Sequence, residues 1–241
     1  MEDPVLTISL PRLAIAFVPA LLAVGIMSWW SLGSRTGIYA LTRMLLQLAI
    51  IGYLLTYIFG TNNSLIVVCV LIVMLAAACW ISLRPLQRKD TGLYANAFAA
   101  IAVGGILTLF LITGLVLELE PWFLPRYMIP LAGMIFASSM NAVSLAAERL
   151  ESESVSGVPY EAARQASLKA ALIPVINSLF AVGLVSLPGM MTGQILAGAS
   201  PLLAARYQIV VMCMLFGASG ISAALYLTLA RPLVSVAEME R

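Results

Sequence analysis

The chain has 241 residues, 62% of them hydrophobic and 10% charged, and a formal net charge of +2; its mean hydropathy is +1.02. Soluble domains carry about 25% charged residues, so lipid is the solvent for most of this protein. The small net charge argues against nucleic-acid binding, and the lack of histidine removes the commonest neutral-pH acid–base group and transition-metal ligand.

The opening MEDPVLTISLPR begins acidic and lacks a basic n-region, so the first apolar run reads as a retained helix rather than a signal peptide. A bilayer crossing takes about 20 mostly apolar residues. Seven runs qualify: 13–30, 42–59, 64–83, 93–117, 127–147, 171–187, and a last one that starts at 203 or 209 and ends at 229. They predict an all-α polytopic bundle of about seven transmembrane helices, a single membrane domain over 1–241. Lys and Arg concentrate in cytoplasmic loops. With the N-terminus outside, ten basic residues lie inside (Arg35, Arg43, Arg84, Arg88, Lys89, Arg149, Arg164, Lys169, Arg231, Arg241) and three outside (Arg12, Arg126, Arg206). That split favours an outer N-terminus and a cytoplasmic C-terminus. It also brings Trp29, Trp30 and Trp80 to the inner interface and Trp122 to the outer one.

The loops differ in kind. TNNS at 61–64 is a tight outer turn, 84–92 a short basic inner loop, and 118–126 an outer loop with two prolines. The one substantial inner loop is 148–170, ERLESESVSGVPYEAARQASLKA. Pro159 suits the first turn of a helix, where its missing N–H costs nothing. From there Tyr160, Ala163, Ser167 and Ala170 share one small, mildly apolar face, while Glu161, Arg164, Gln165 and Lys169 stay polar. The pattern predicts a short amphipathic cytoplasmic helix leading directly into the sixth span.

Away from their ends the predicted spans hold no Asp, Glu, Lys or His, which argues against a proton relay or an intramembrane metalloprotease. Ser186 has no base to activate it. There is no Walker A sequence and no GxGxxG after a strand, so the chain has no usual means of binding ATP. Cys69, Cys79 and Cys213 lack metal-ligand spacing and read as small packing residues, and no residue set defines a metal site.

What remains at depth is amides. Gln47, Asn141 and Asn177 each lie roughly 6 to 9 Å from the cytoplasmic boundary. Either they ring the inner part of a pathway, or they are interhelical glue worth about 0.6 kcal/mol per contact; Asn96 fits both readings. The stretch 184–208 is the other anomaly. Pro188 and Gly189 break an apolar run, and Thr192, Gln194, Ser200 and Gln208 follow among lipid-compatible residues. Irregular backbone at membrane depth needs cover from protein or a water-filled cavity. Gly189 and Gly193 are spaced for close helix packing, with Thr192 and Gln194 facing either a substrate or a twin subunit. Met190, Met191, Met212 and Met214 suit adaptable packing better than soft-metal ligation, and Arg206 is expected to snorkel to the outer headgroups.

The string SLPGMMTGQILAGASPLLAARYQI at 186–209 resembles the FetB-type permeases of ABC transporters, which include bacterial iron-export permeases and plant aluminium-tolerance half-transporters. The resemblance extends to Arg43, Gln47, Gly52 and Phe59, to RYMIPLAGMIFASSMNAVSL at 126–145, and to 173–196. It implies a non-enzymatic permease of the inner (plasma) membrane that binds no cofactor itself. ATP and Mg would belong to a separate cytoplasmic ATPase, in an assembly of two permeases and two ATPases. Glu161-Ala162-Ala163, with Arg164 and Ser167, resembles the element by which such permeases dock on the ATPase, although Ser167 stands where that element has glycine; an ordinary solvated helix is the alternative. The implied cargo is iron or a related metal or solute. Obvious hard ligands for a bare iron ion are lacking, so a complexed metal or an organic solute such as a sugar nucleotide fits as well. A non-transport scaffold or sensor, or a passive channel, is the remaining alternative.

Overall fold

The structure, a computed structural model, describes residues 8–61, 63–86 and 90–239; Arg88, Lys89 and Arg241 of the charge ledger lie outside them. Among the described residues the order is α1 (Leu10–Ile15), α2 (Phe17–Trp29), α3 (Ser34–Phe59), α4 (Ser64–Ser82), α5 (Thr91–Phe110), a π-helical segment (Leu111–Val116), α6 (Pro125–Val155), α7 (Tyr160–Ala181), α8 (Gly189–Leu196) and α9 (Pro201–Met239). The all-α class matches the expectation from sequence. Among the described residues six stretches are long and apolar enough to cross a membrane: Leu10–Trp29, Ser34–Phe59, Ser64–Ser82, Thr91–Val116, Pro125–Val155 and Pro201–Arg231. The run at 171–187 is the one that does not qualify. Its helix, α7, starts eleven residues earlier among Glu161, Arg164, Gln165 and Lys169, and stops at Ala181.

The chain divides into two compact units, Met1–Thr61 and Asn62–Arg241. In the first, α1 and α2 are separated at Ala16. Pro19 explains the break, because it has no N–H for the carbonyl of Ile15 and its ring crowds that oxygen. Gly37 of α3 lies against Val24 and Met27 of α2, where a Cβ would make ordinary contact at 3.4 Å. Ile58 is the one buried residue in these three helices. Their apolar surface therefore requires lipid or another protein surface as its solvent.

The second unit is built around α9. Asn63 caps α4 by accepting from the Leu65 N–H at 2.9 Å, and Asp90 caps α5 by accepting from the Gly92 N–H at 3.3 Å. The Asn96 amide donates to the Leu229 carbonyl at 3.0 Å. Two turns along α5, Gly104 meets Ser222 so closely that a Cβ would sit 2.3 Å from Ser222 Oγ and 3.0 Å from its backbone nitrogen. These contacts make α5 and α9 antiparallel. On the other flank the Ser138 and Ser219 hydroxyls bond at 2.7 Å, and Ser139 donates to the Ala218 carbonyl at 3.3 Å. Further along both helices Glu151 lies in electrostatic range of Tyr226, so α6 and α9 run parallel. Gly105 of α5 closes the triangle against the Phe136 ring, where a Cβ would lie 2.8 Å away.

Two glycines separate close packing from open surface. Gly104→Ala should destabilise the purified chain by about 1 to 3 kcal/mol through overpacking. Adding Ser222→Ala should restore only part of that, because the backbone nitrogen stays in place. Gly193, with nothing within 4 Å of a built Cβ, should gain about 0.5 to 1 kcal/mol on change to alanine. Unfolding in detergent micelles measures both.

Candidate functional site

Small residues let α7 lie against the rest of its unit. Ala163, Ser167 and Ala171, one helical turn apart, are its buried positions. Ser167 Oγ donates back to the Ala163 carbonyl at 2.7 Å, so the hydroxyl is satisfied inside the helix, which continues unbroken through that residue. The face predicted from sequence holds at Ala163 and Ser167 and continues through Ala171 instead of Ala170.

Beyond Ala181 the helix gives way to a tight turn. Gly183 takes φ +81°, which favours glycine, and its N–H donates to the Ser186 carbonyl at 3.0 Å. The Val185 and Ser186 N–H groups both return to the Ala181 carbonyl, at 2.8 and 3.1 Å. The irregular backbone is thus hydrogen-bonded internally, as membrane depth demands. Pro188 then starts α8, and Gly198 at φ +94° ends the link to α9.

Between α6, α7, the start of α8 and α9 this arrangement leaves a cavity of about 480 Å³, within the range of small-molecule sites. Its polar groups are Ser138, Asn141, Ser178, Ser186, Gln208 and Ser219, set in a mostly apolar wall that includes Met134, Met190 and Met212. None of the described residues that line it is ionisable. Gln208 is only 5% exposed, and its Oε1 is buried without a hydrogen-bond partner.

The residues singled out from sequence separate. Asn141 and Gly189 are in the cavity wall, whereas Asn177, Thr192, Gly193 and Gln194 are not. Thr192 is exposed and bonds back to the Pro188 carbonyl at 3.2 Å; Gln194 Oε1 is buried and unpartnered. Gln47 belongs to the other unit, where its amide oxygen accepts from Arg43 Nε at 3.0 Å. Asn96 acts as interhelical glue. A Cβ at Gly189 or Gly193 would meet nothing within 4 Å among the described residues, so neither glycine mediates close packing within the chain. Ser138, Ser178, Gln208 and Ser219 were not singled out for the site. The signal was the spacing Gln208, Val211, Met212, Leu215, Ser219, which lies on one face of a helix.

Before α7, Gly157 at φ +76° turns the chain from α6 into α7. The Tyr160 hydroxyl donates to the Leu227 carbonyl of α9, and the Arg231 guanidinium lies 5.7 Å from the Tyr160 ring centre. Burial, the main cause, pushes the Tyr160 phenol above its ordinary value, so it keeps its proton at neutral pH. Glu161 and Arg164 pair at 2.7 Å with both side chains largely exposed. Ala162 is exposed too, whereas Ala163 and Ser167 are buried within this chain. A protein docking here would meet Glu161, Ala162 and Arg164.

An all-helical polytopic membrane protein with an uncharged, polar-dotted cavity among its C-terminal helices is the class these features define. The chain matches the model of an uncharacterised protein family, UPF0014, over residues 10–158 and 158–234, and it belongs to that family. It is 36% identical to Protein ALUMINUM SENSITIVE 3 of Arabidopsis thaliana, over 87% of this chain and 81% of that one. It is 35% identical to the probable iron export permease protein FetB of Escherichia coli, over 79% of each. It is also 34% identical to the UPF0014 membrane protein slr1647 of Synechocystis, over 79% of this chain and 80% of that one. No solved structure matches it.

Because Gln208 holds a buried, unpaired acceptor, Gln208→Leu should raise the stability of the ligand-free chain by about 1 to 3 kcal/mol. Tyr160→Phe, which removes a donor from the Leu227 carbonyl, should cost about 0.5 to 1.5 kcal/mol and speed amide exchange at the start of α7. Thermal melting and hydrogen exchange check the two.

Proposed function

We propose that this chain is the membrane-spanning subunit of an ABC-type exporter of iron or a related metal or solute, driven by a separate cytoplasmic ATPase and paired with a second copy of itself in the plasma membrane. The observation that carries this reading is the 35% identity to a protein named as a probable iron export permease, over 79% of each chain. The inner loop supports it: Glu161, Ala162 and Arg164 are presented outward at the start of a helix whose other end lines the cavity.

The topology we propose has seven crossings, with the N-terminus outside and the C-terminus cytoplasmic. Parallel α6 and α9 need a return path between them. α7 supplies it: Tyr160 is tied to Leu227 at one end of α9, while Val182 lines the same cavity as Gln208 nearer the other. The last turns of α7, the 182–188 turn and α8 then complete the return. Cytoplasmic exposure of the polar first turns of α7 accords with Glu161, Arg164 and Lys169 lying there.

The charge-swapped pair Glu161→Arg with Arg164→Glu preserves the internal ion pair while inverting the surface it presents. Reconstituted with its ATPase in vesicles, this double variant should retain the melting temperature of the wild type and lose most transport-coupled ATP hydrolysis. Unchanged coupling would remove the loop from the interface, and failure of any ATPase to co-purify with the tagged chain would sink the exporter reading.

A further inference from the structure

We propose that the apolar cleft between α4, α5 with its π-helical segment, and the start of α6 holds one acyl chain of a membrane phospholipid, with the ester end of that chain beside Trp122. The cleft has a volume of about 370 Å³. Its floor includes Leu75, Leu109 and Phe136, all buried, and its rim includes Ile72, Ile106 and Phe110, all exposed. Nothing in this wall asks for a polar ligand. Thr113, the one hydroxyl among the described lining residues, donates to the Leu109 carbonyl at 2.8 Å. The backbone beside it is satisfied as well: the Leu117 N–H donates to the Ile112 carbonyl at 2.9 Å, the wide bond of a π turn, and the Leu119 N–H donates to the Thr113 carbonyl at 3.0 Å. An apolar space with no unmet hydrogen bond does not hold water.

Position selects the occupant. Ser64–Ser82, Thr91–Val116 and Pro125–Val155 are successive stretches able to cross a membrane, so the start of the first, the end of the second and the start of the third share one membrane surface. From those ends to Leu75, Ile106 and Phe136 is roughly 15 to 17 Å of helix rise. One leaflet of the hydrocarbon core is about 15 Å deep. The cleft therefore runs from the surface to the midplane, the depth that a single acyl chain occupies. Trp122, at its outer end and exposed, suits the boundary there, since an indole sits at headgroup level with its ring toward the chains.

Width points the same way. A volume of about 370 Å³ spread over that length leaves a cross-section of roughly 20 to 25 Å². A helix with its side chains is about 10 to 12 Å across and is too wide to be seated there, whereas a methylene chain needs only about 4 Å. Because the surrounding solvent is itself apolar, packing decides the binding rather than exclusion of water. A floor without neighbours forfeits its dispersion contacts, and a chain laid along it restores them.

The test is independent of any ATPase. It uses the full chain in detergent with Trp29→Phe, Trp30→Phe and Trp80→Phe, which leaves Trp122 as the one indole. Phosphatidylcholine brominated near the ester end of its acyl chains is added stepwise. Trp122 fluorescence should fall along a saturating curve, and an excess of glycerophosphocholine, which has the headgroup without the chains, should not reverse the quenching. Leu71→Phe, which narrows the cleft, should raise the bromolipid concentration at half-quenching roughly fivefold, the value of about half a dozen carbon contacts. Ile106→Phe, at the exposed rim, replaces it if that variant does not fold. Should the Phe background itself fail to fold, native mass spectrometry of the wild-type chain counts the phosphatidylcholine it retains, and the same two variants should lower that occupancy. Quenching that grows in proportion to bromolipid without saturating, as for lipid that only surrounds the chain, would overturn the proposal. So would an unchanged midpoint or occupancy in the narrowed variants, or an absence of quenching, the result if a protein surface covers the cleft.

Discussion

The C-terminal unit depends on how closely α5 can approach α9. In lipid, apolar burial gives helices little reason to associate, so packing distance and interhelical hydrogen bonds decide the contact. Gly104 removes the side chain that would hold the backbones apart, leaving space for Ser222. With α9 seated there, its other face receives the α6 hydroxyls: Ser138 bonds Ser219 at 2.7 Å and Ser139 reaches the Ala218 carbonyl at 3.3 Å. Gly105, against Phe136, lets α5 and α6 close the third side. Glycines and serines thus set the frame, and the larger apolar residues fill it.

Such a frame has a consequence for the chain between α6 and α9. Two parallel neighbours must be joined by a return, and α7 makes it with a stripe of Ala163, Ser167 and Ala171 turned inward. Pro174 removes one backbone N–H from α7 and contributes its ring to the cavity wall. Because α7 ends at Ala181 and α8 is only eight residues long, the helical wall is incomplete beside Gln208. The cavity lies where the return path changes from helix to turn.

Much of the fold could be read from the sequence, for a simple reason: apolar length is a strong signal in lipid. The runs 64–83 and 93–117 lie within two residues of α4 and of α5 with its π extension at each end. The structure departs from the sequence reading where polar segments are helical. Residues 148–155 read as loop but continue α6, because Leu150 stays buried while Arg149 and Glu153 pair one turn apart along the helix. Residues 160–170 read as a short helix leading directly into the next apolar run, and in the structure they are one continuous helix with it. The amides show another limit. Depth along a helix follows from counting, but facing follows from the angle around it, and Asn177 falls outside the cavity-lining set Ala171, Pro174, Val175 and Ser178. Gln208 was visible as an anomaly, yet its unpaired oxygen depends on neighbours from other helices that no single stretch reveals.

One rod joins the Glu161–Arg164 surface to the cavity wall, and its attachments limit how it can move. From Tyr160 to Pro174 is roughly 21 Å of helix rise, so that surface and the cavity wall are parts of one helix. At its first residue that element is tied to α9 through the Leu227 carbonyl, with Arg231 over the Tyr160 ring. A displacement of the start of α7 must therefore either carry α9 along at Leu227 or break that hydrogen bond. If α9 moves as a rigid helix, Gln208 moves with it, since it lies on α9 on the far side of the Gly104–Ser222 contact from Leu227. That contact, where a Cβ on Gly104 would sit 2.3 Å from Ser222 Oγ, lies between the two ends, so a tilt of α9 about it would displace Leu227 and Gln208 in opposite directions.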